Sequence, residues 1–132
     1  MATRSNIAIM HADGSVVRIY AHWGGLPGEN GEILLNNYST TDKVEEMIEG
    51  GDMSTLGNTP EECKYYKDRA NEDPEEIKPE RFSNITDALR RNSDTEFFYL
   101  WDVEAQRWFY SEDDRVGSRE KLMVLTPEAW AC

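Results

Sequence analysis

The chain has 132 residues, 39% of them hydrophobic, which is enough for one domain with a buried core. Its 26 acidic residues outnumber the 14 lysines and arginines, and the net charge of -12 argues against direct binding to nucleic acid or to an anionic membrane. No stretch approaches the roughly 20 apolar residues of a membrane-spanning helix, and the N-terminus lacks an apolar signal-peptide run, so we expect a soluble, cytosolic protein.

The first predicted element is a β-hairpin. Two runs of apolar and β-branched residues flank the dipeptide Asp13-Gly14, which is typical of a two-residue type I′ turn. Such a turn would place Met10 opposite Val17 and would direct alternate side chains toward the core. The predicted core face carries Ala8, Met10, Val17 and Ile19.

Three short helices are predicted along the chain. The first begins near Asn30, the second begins at Thr41 or Asp42 and ends at the glycines 50–51, and the third begins at Ser83. The second has the clearest pattern, because its apolar residues recur at helical spacing and would face the core. These residues are Val44, Met47 and Ile48.

A second hairpin, over 97–102 and 107–111, is dense in aromatic residues and is predicted at the centre of the sheet. Segments 63–66 and 121–125 can add one or two strands. The predicted fold is therefore α+β: a small antiparallel sheet built from two hairpins plus one or two extra strands, with about three short helices packed on it.

The chain is predicted to form a single domain over residues 1–132. The acidic run at about 70–81 contains two prolines and almost nothing to bury, so we expect a mobile loop there. From about residue 111 the chain is expected to form a C-terminal extension.

No motif for enzymatic or metal chemistry is present. The sequence lacks a nucleophile elbow and a Gly-rich phosphate loop, and His11 and His22 lie at opposite ends of the predicted hairpin. Cys63 and Cys132 are expected to be free thiols. We therefore predict no catalytic residues, no metal and no cofactor.

One candidate binding site combines Tyr20, His22 and Trp23. Two aromatic faces and a titratable ring at a strand end beside a Gly-rich loop suit stacking on a base, a guanidinium or another aromatic ring. The alternative is structural: Trp23 fills the core and His22 hydrogen-bonds the loop.

A second candidate site combines Tyr66, Asp68 and Arg69. An aromatic ring lies beside an arginine that can bind phosphate or carboxylate, and the aspartate could hold that arginine in place. The alternative is an Asp68–Arg69 ion pair on a solvated face.

The outer face of the second helix is a candidate acidic surface, formed by Glu45, Glu46 and Glu49. Such a surface attracts basic protein surfaces such as DNA-binding grooves. The alternative is that these acids only keep the protein soluble.

Five segments of the chain together have a characteristic pattern: Ser5-Asn6-Ile7-Ala8-Ile9, Tyr20-Ala21-His22-Trp23, Met53-Ser54-Thr55-Leu56-Gly57, Tyr66 to Arg69 and Phe98-Tyr99-Leu100-Trp101-Asp102. In these segments the chain resembles a family of small, mostly uncharacterised proteins of tailed bacteriophages. It departs from that family at Gly24, where an acidic residue is expected, and in the tail beyond Tyr110. The resemblance implies a phage origin and a bacterial host cytoplasm as the working environment, and it implies no activity.

These observations favour a non-enzymatic phage protein that inhibits or sequesters a component of a host system, above all a defence system, through an acidic protein-binding surface. The alternative is a binding protein, or sponge, for a small signalling nucleotide. A third hypothesis is a small-nucleotide hydrolase that uses His22 and Asp68, and a structural virion component ranks last.

Overall fold

A mixed β-sheet with helices on both faces forms the centre of the fold. A computed structural model of the chain describes residues 3–69, 73–90, 95–112 and 121–129, without the side chain of Arg90. In this part of the chain the sheet has eight strands in the order β4-β3-β2-β1-β6-β7-β8, with β5 paired to β2. The strands are β1 Ser5–Met10, β2 Val16–Ala21, β3 Met53–Thr55, β4 Lys64–Tyr65, β5 Glu80–Phe82, β6 Phe97–Asp102, β7 Arg107–Ser111 and β8 Met123–Val124.

Four α-helices are found among the described residues: α1 Glu32–Asn37, α2 Thr41–Glu49, α3 Pro74–Ile77 and α4 Ile85–Arg90. A π-helical turn, Pro27–Gly31, leads into α1. Short 3-10 turns follow at Pro60–Glu62, Tyr66–Asp68 and Pro127–Ala129. The α+β class predicted from the sequence is confirmed.

The sheet is larger than predicted, and it is mixed where a fully antiparallel sheet was expected. The two predicted hairpins form, because β1 pairs with β2 and β6 pairs with β7, both antiparallel. The hairpins join through β1 and β6, which run parallel, and β2 also pairs parallel with β3. Parallel neighbours need a long crossover connection, and the helices between the strands provide it.

The first hairpin has a different register from the predicted one. Met10 lies opposite Val16 instead of Val17, and the connection is a five-residue loop, because the His11 N–H donates to the Ser15 carbonyl. The Asp13 carboxylate accepts bonds from the N–H and the hydroxyl of Ser15, which stabilises the wider loop. A one-residue slip moves every side chain to the other face of a strand. The predicted core face of Ala8, Met10, Val17 and Ile19 is therefore divided between the two faces.

Both faces of the first hairpin are buried. The change of register by one residue therefore does not reduce the burial of its apolar side chains. One face packs under α1 and α2, and the opposite face packs against α4 and β5. The first core includes Ile7, Ile9, Ile19, Ala21, Met47, Ile48, Tyr99, Trp101 and Trp108. The second includes Ala8, Val16, Phe82, Ala88, Leu89, Phe98 and Leu100.

The second predicted helix is confirmed as α2, with Val44, Met47 and Ile48 buried. Its N-cap is Thr40, one residue before the predicted candidates, and the Thr40 hydroxyl accepts a bond from the Lys43 N–H at 3.3 Å. The helix stops at the predicted glycine pair. Gly51 has φ +86°, a conformation that favours glycine.

The acidic segment predicted as a loop contains regular structure in its described part. Residues 74–77 form α3, and β5 pairs antiparallel with β2, so that Phe82 lies opposite Val16. Residues 70–72 lie outside the described residues, and the predicted mobility of the segment stays a prediction. In the C-terminal extension, β8 adds to β7 and the 3-10 turn follows, whereas residues 113–120 and 130–132 lie outside the described part.

Within the described ranges, no helix combines the length and the apolar character that crossing a membrane requires.

Candidate functional site

The loop after β2 is held tightly by hydrogen bonds. The Gly25 N–H donates to the Thr3 carbonyl at 2.8 Å, and the Gly25 carbonyl accepts a 2.6 Å bond from the buried Tyr99 hydroxyl. The Asn30 side chain, predicted as an N-cap, is instead buried and donates to the Trp23 carbonyl at 3.1 Å. The backbone of this loop is therefore fixed to both the N-terminal segment and β6.

Trp23 projects from this fixed loop into solvent. Its side chain is 49% exposed, so the alternative that Trp23 fills the core is wrong. The physical reason for this exposure is backbone pairing at position 23. The Trp23 N–H donates to the Ser54 carbonyl, which extends the parallel contact of β2 and β3 beyond the end of β2. An exposed tryptophan on a constrained backbone offers a large apolar surface at a small cost in conformational entropy.

His22 and Tyr20 lie beside Trp23. The Tyr20 hydroxyl and His22 Nδ1 share a 2.7 Å hydrogen bond, so His22 bonds a neighbouring side chain and not the loop. The His22 and Trp23 rings meet edge to face, with centroids 4.8 Å apart. The three predicted residues of the first constellation thus form a continuous aromatic surface.

Gly24, the position where the resemblance expects an acidic residue, has φ +73°. A Cβ atom there would also come within 3.0 Å of Asn30 Oδ1 and 3.2 Å of Glu29 Oε2. Glycine therefore fits this backbone, and the turn that directs Trp23 outward depends on it.

The second constellation is arranged differently from the prediction. The Arg69 guanidinium lies over the Tyr66 ring at 4.7 Å, and the Arg69 N–H donates to the Tyr66 carbonyl. Among the described residues, Asp68 forms no ion pair with Arg69, so the expected Asp68–Arg69 pair is not formed. Asp68 is exposed at the end of the Tyr66–Asp68 turn, where the ring of Tyr66 and not the carboxylate holds the arginine.

The two constellations meet near the end of β2. Burial raises the pKa of Tyr20, and among the neighbouring charges Arg4 lowers that pKa whereas Tyr66 and Glu96 raise it. The backbone N–H groups of Tyr20 and Tyr66 both donate to Asp52, so the two tyrosines lie close together. We call this surface the aromatic patch and define it as Tyr20, His22, Trp23, Tyr66 and Arg69.

Asp52 lies next to the patch, and the sequence analysis missed it. Its carboxylate accepts a 2.9 Å bond from the Tyr20 N–H, and its carbonyl accepts a 3.1 Å bond from the Tyr66 N–H. Burial raises the pKa of Asp52 to about 6. The one available signal was its position: an acid between a glycine helix stop and the short segment Met53-Ser54-Thr55.

The acidic surface of Glu45, Glu46 and Glu49 lies on α2, which packs on the face of β2 that carries Ile19 and Ala21. Tyr20 and His22 point to the opposite face, since side chains alternate along a strand. Glu46 and Glu49 are exposed, whereas Glu45 is partly covered and pairs with His11, whose Nε2 is 3.3 Å from Glu45 Oε1. The acidic surface and the aromatic patch are thus separate sites.

A cleft of about 280 Å³ lies beside the acidic surface, between α2 and the first hairpin. It is lined by apolar and charged side chains, among them Ile9, Val17, Ile48, Glu45, Glu49 and Arg81. Within the described ranges, no three His, Cys, Asp or Glu side chains are grouped so that they could hold a metal ion. Cys63 is buried and free, and Cys132 lies outside the described residues.

Comparisons of the chain with protein-family models, with curated proteins and with solved structures find no significant match.

Proposed function

We propose that the protein is a non-enzymatic phage protein that binds a basic protein of the bacterial host, inhibits or sequesters it, and thereby disarms a host system, above all a defence system. The observation that carries the proposal is the outer face of α2. There Glu46 and Glu49 are exposed, one turn apart on a helix whose apolar side is buried.

The charge of the whole chain supports this choice of partner. A net charge of -12 on 132 residues produces a field that accelerates encounters with cationic surfaces and repels polyanions. Acids one helical turn apart can take the place of the phosphates that a nucleic-acid-binding host protein normally contacts. The host cytoplasm is the compartment that this proposal requires.

Affinity capture from bacterial lysate tests the proposal. The immobilised protein should retain a basic host protein, and free DNA or RNA should displace it if the acids occupy a nucleic-acid site. The variant with Glu45, Glu46 and Glu49 each changed to Gln should lose that protein. A matched variant with Glu32, Glu76 and Glu104 each changed to Gln removes the same charge from exposed positions elsewhere and should retain it. Equal capture by both variants would contradict the proposal.

A second candidate function is the binding of a small signalling nucleotide at the aromatic patch. The observations that favour it are the Arg69 guanidinium held over the Tyr66 ring and the exposed ring of Trp23, which packs edge to face on His22. A base can stack on an indole while an arginine binds phosphate. Calorimetric titration with cyclic mono- and dinucleotides tests this, and Arg69→Ala should abolish the heat signal that the triple glutamine variant on α2 retains.

We assign no catalytic role to the patch. The hypothesis of a small-nucleotide hydrolase required His22 and Asp68 to act together, whereas His22 bonds Tyr20 and Asp68 lies at the exposed end of a different turn. A nucleotide incubated with the protein should be recovered intact, and its hydrolysis would contradict this assignment.

A further inference from the structure

Asp52 connects three segments of the chain at the side of the aromatic patch. Its carboxylate bonds the Tyr20 N–H of β2, its carbonyl bonds the Tyr66 N–H, and its own N–H donates to the Ile77 carbonyl at the end of α3. Asp52 therefore links the backbone of Tyr20 to the backbone of Tyr66.

The sheet explains why a side chain is needed at this position. Along the edge of β2, β5 pairs with residues up to Arg18, and β3 begins to pair at Ala21. The Tyr20 N–H lies in the gap between these two partner strands. The Asp52 carboxylate fills the gap and takes the place of a strand carbonyl.

We infer that Asp52 is a positioning residue of the aromatic patch, which holds Tyr20 and Tyr66 in a fixed relation while its carboxylate is ionised and lets both shift when it takes up a proton. The inference rests on the ligand-binding role proposed for the patch. It makes binding at the patch sensitive to pH through a residue that need not touch the ligand.

The groups around Asp52 support a response near neutral pH. The pKa of the carboxyl is raised to about 6. Burial is the largest cause, the bond from the Tyr20 N–H lowers the pKa, Glu80 of β5 raises it and Arg18 of β2 lowers it. The Tyr20 phenol also lies in this region; it is hydrogen-bonded to His22, and Tyr66, Arg4 and Glu96 act on it electrostatically. A neutral carboxyl accepts a weaker hydrogen bond than a carboxylate, so protonation loosens the contact with Tyr20.

Nuclear magnetic resonance of the free protein tests the inference without a ligand. The amide signals of Tyr20 and Tyr66 and the carboxyl carbon of Asp52 are followed from about pH 4.5 to about pH 8, a range that spans the titration of a buried carboxyl and of an imidazole. We expect all three signals to shift with one midpoint near 6. The Asp52→Asn variant keeps the side-chain oxygen and removes the charge, so both amide shifts should disappear.

His22→Gln is the control, because the His22 ring is hydrogen-bonded to the Tyr20 hydroxyl and therefore lies close to the signals that are followed. The common midpoint should persist in this variant. Amide shifts that persist in Asp52→Asn and are lost in His22→Gln would overturn the inference. A Tyr66 amide signal that stays constant while the Tyr20 amide signal shifts would also overturn it. The carboxyl signal reports on the wild-type protein itself, so the test holds even if Asp52→Asn folds poorly. Failure to find a ligand for the patch leaves these signals unaffected, which separates this inference from the proposed function.

Discussion

The ion pair between Arg18 and Glu80 joins a buried side chain to an exposed one. Arg18 Nη2 and Glu80 Oε1 are 3.1 Å apart, yet the two side chains are 5% and 65% exposed. Arg18 also donates a 2.7 Å bond to the Ala88 carbonyl and lies 4.7 Å over the Phe82 ring. The pair therefore contributes to stability mainly through the arginine, which attaches both α4 and β5 to the sheet.

We expect Arg18→Ala to lower the free energy of unfolding by about 2–4 kcal/mol, because it removes a hydrogen bond from a charged donor and the packing on Phe82. Glu80→Gln should lower the free energy of unfolding by less than about 1 kcal/mol. The side chain at position 80 lies mostly in water, where an ion pair contributes little. Urea unfolding of the two variants measures the difference. Equal losses would show that the ion pair, and not the buried arginine, stabilises this region.

Trp23→Ala should leave the free energy of unfolding within about 1 kcal/mol of the wild-type value, because half of the side chain is already in water. Trp101→Ala is the matched control: this ring is 2% exposed and packs edge to face on Trp108, so its loss should cost about 3–5 kcal/mol. Thermal unfolding separates the two. A large fall in melting temperature for Trp23→Ala would return that residue to a structural role.

Binding of a basic host protein to the acidic surface should weaken steeply when the salt concentration rises from about 50 to about 300 mM, because exposed charges are screened over this range. Binding of a nucleotide at the aromatic patch should change less, since only the contact of Arg69 with phosphate is screened, whereas the stacking of the base is not. Surface plasmon resonance at several salt concentrations gives the slope. Host-protein binding that is flat across the series would contradict an electrostatic contact at α2.

The folded state raises the pKa of Asp52 from 3.8 to about 6, so the folded chain binds this proton more tightly than the unfolded chain does. The contribution of Asp52 to stability is therefore most favourable at low pH and decreases as the pH rises through about 4 to 6. Asp52→Asn should raise the melting temperature relative to wild type at about pH 7.5 and change it little at about pH 4. Thermal scans at both pH values measure the two differences in melting temperature between variant and wild type. A melting temperature of Asp52→Asn that falls below wild type, and falls most at about pH 7.5, would contradict this prediction.

The sequence predicts local structure well where neighbours along the chain decide it. Helix α2 has its apolar stripe and its glycine stop within ten residues, and the aromatic hairpin of β6 and β7 also forms as expected. The register of the first hairpin could not be predicted, because both of its faces are apolar and either register buries them. The parallel pairing of β1 with β6 also has no local signal, since it joins segments far apart in the chain.

The residues of the aromatic patch were chosen from the sequence, but their arrangement in space could not be predicted from it. Tyr20, His22 and Trp23 come together because they are neighbours, but the exposure of Trp23 depends on bonds from Asn30 and Tyr99. Asp52 was missed because its role depends on a gap between two strands that pair with β2 from different parts of the chain. A single carboxylate among 26 acids has no pattern that would reveal such a gap.

The parallel pair of β1 and β6 also governs the order in which the chain can fold during synthesis. The first hairpin leaves the ribosome early, but one edge of β1 stays open until Phe97–Asp102 has been made. An open apolar edge is a template for intermolecular pairing. The nascent chain is thus most exposed to aggregation over the interval in which residues 11–96 are translated, and chains that stop before β6 should be the ones that chaperones and proteases capture.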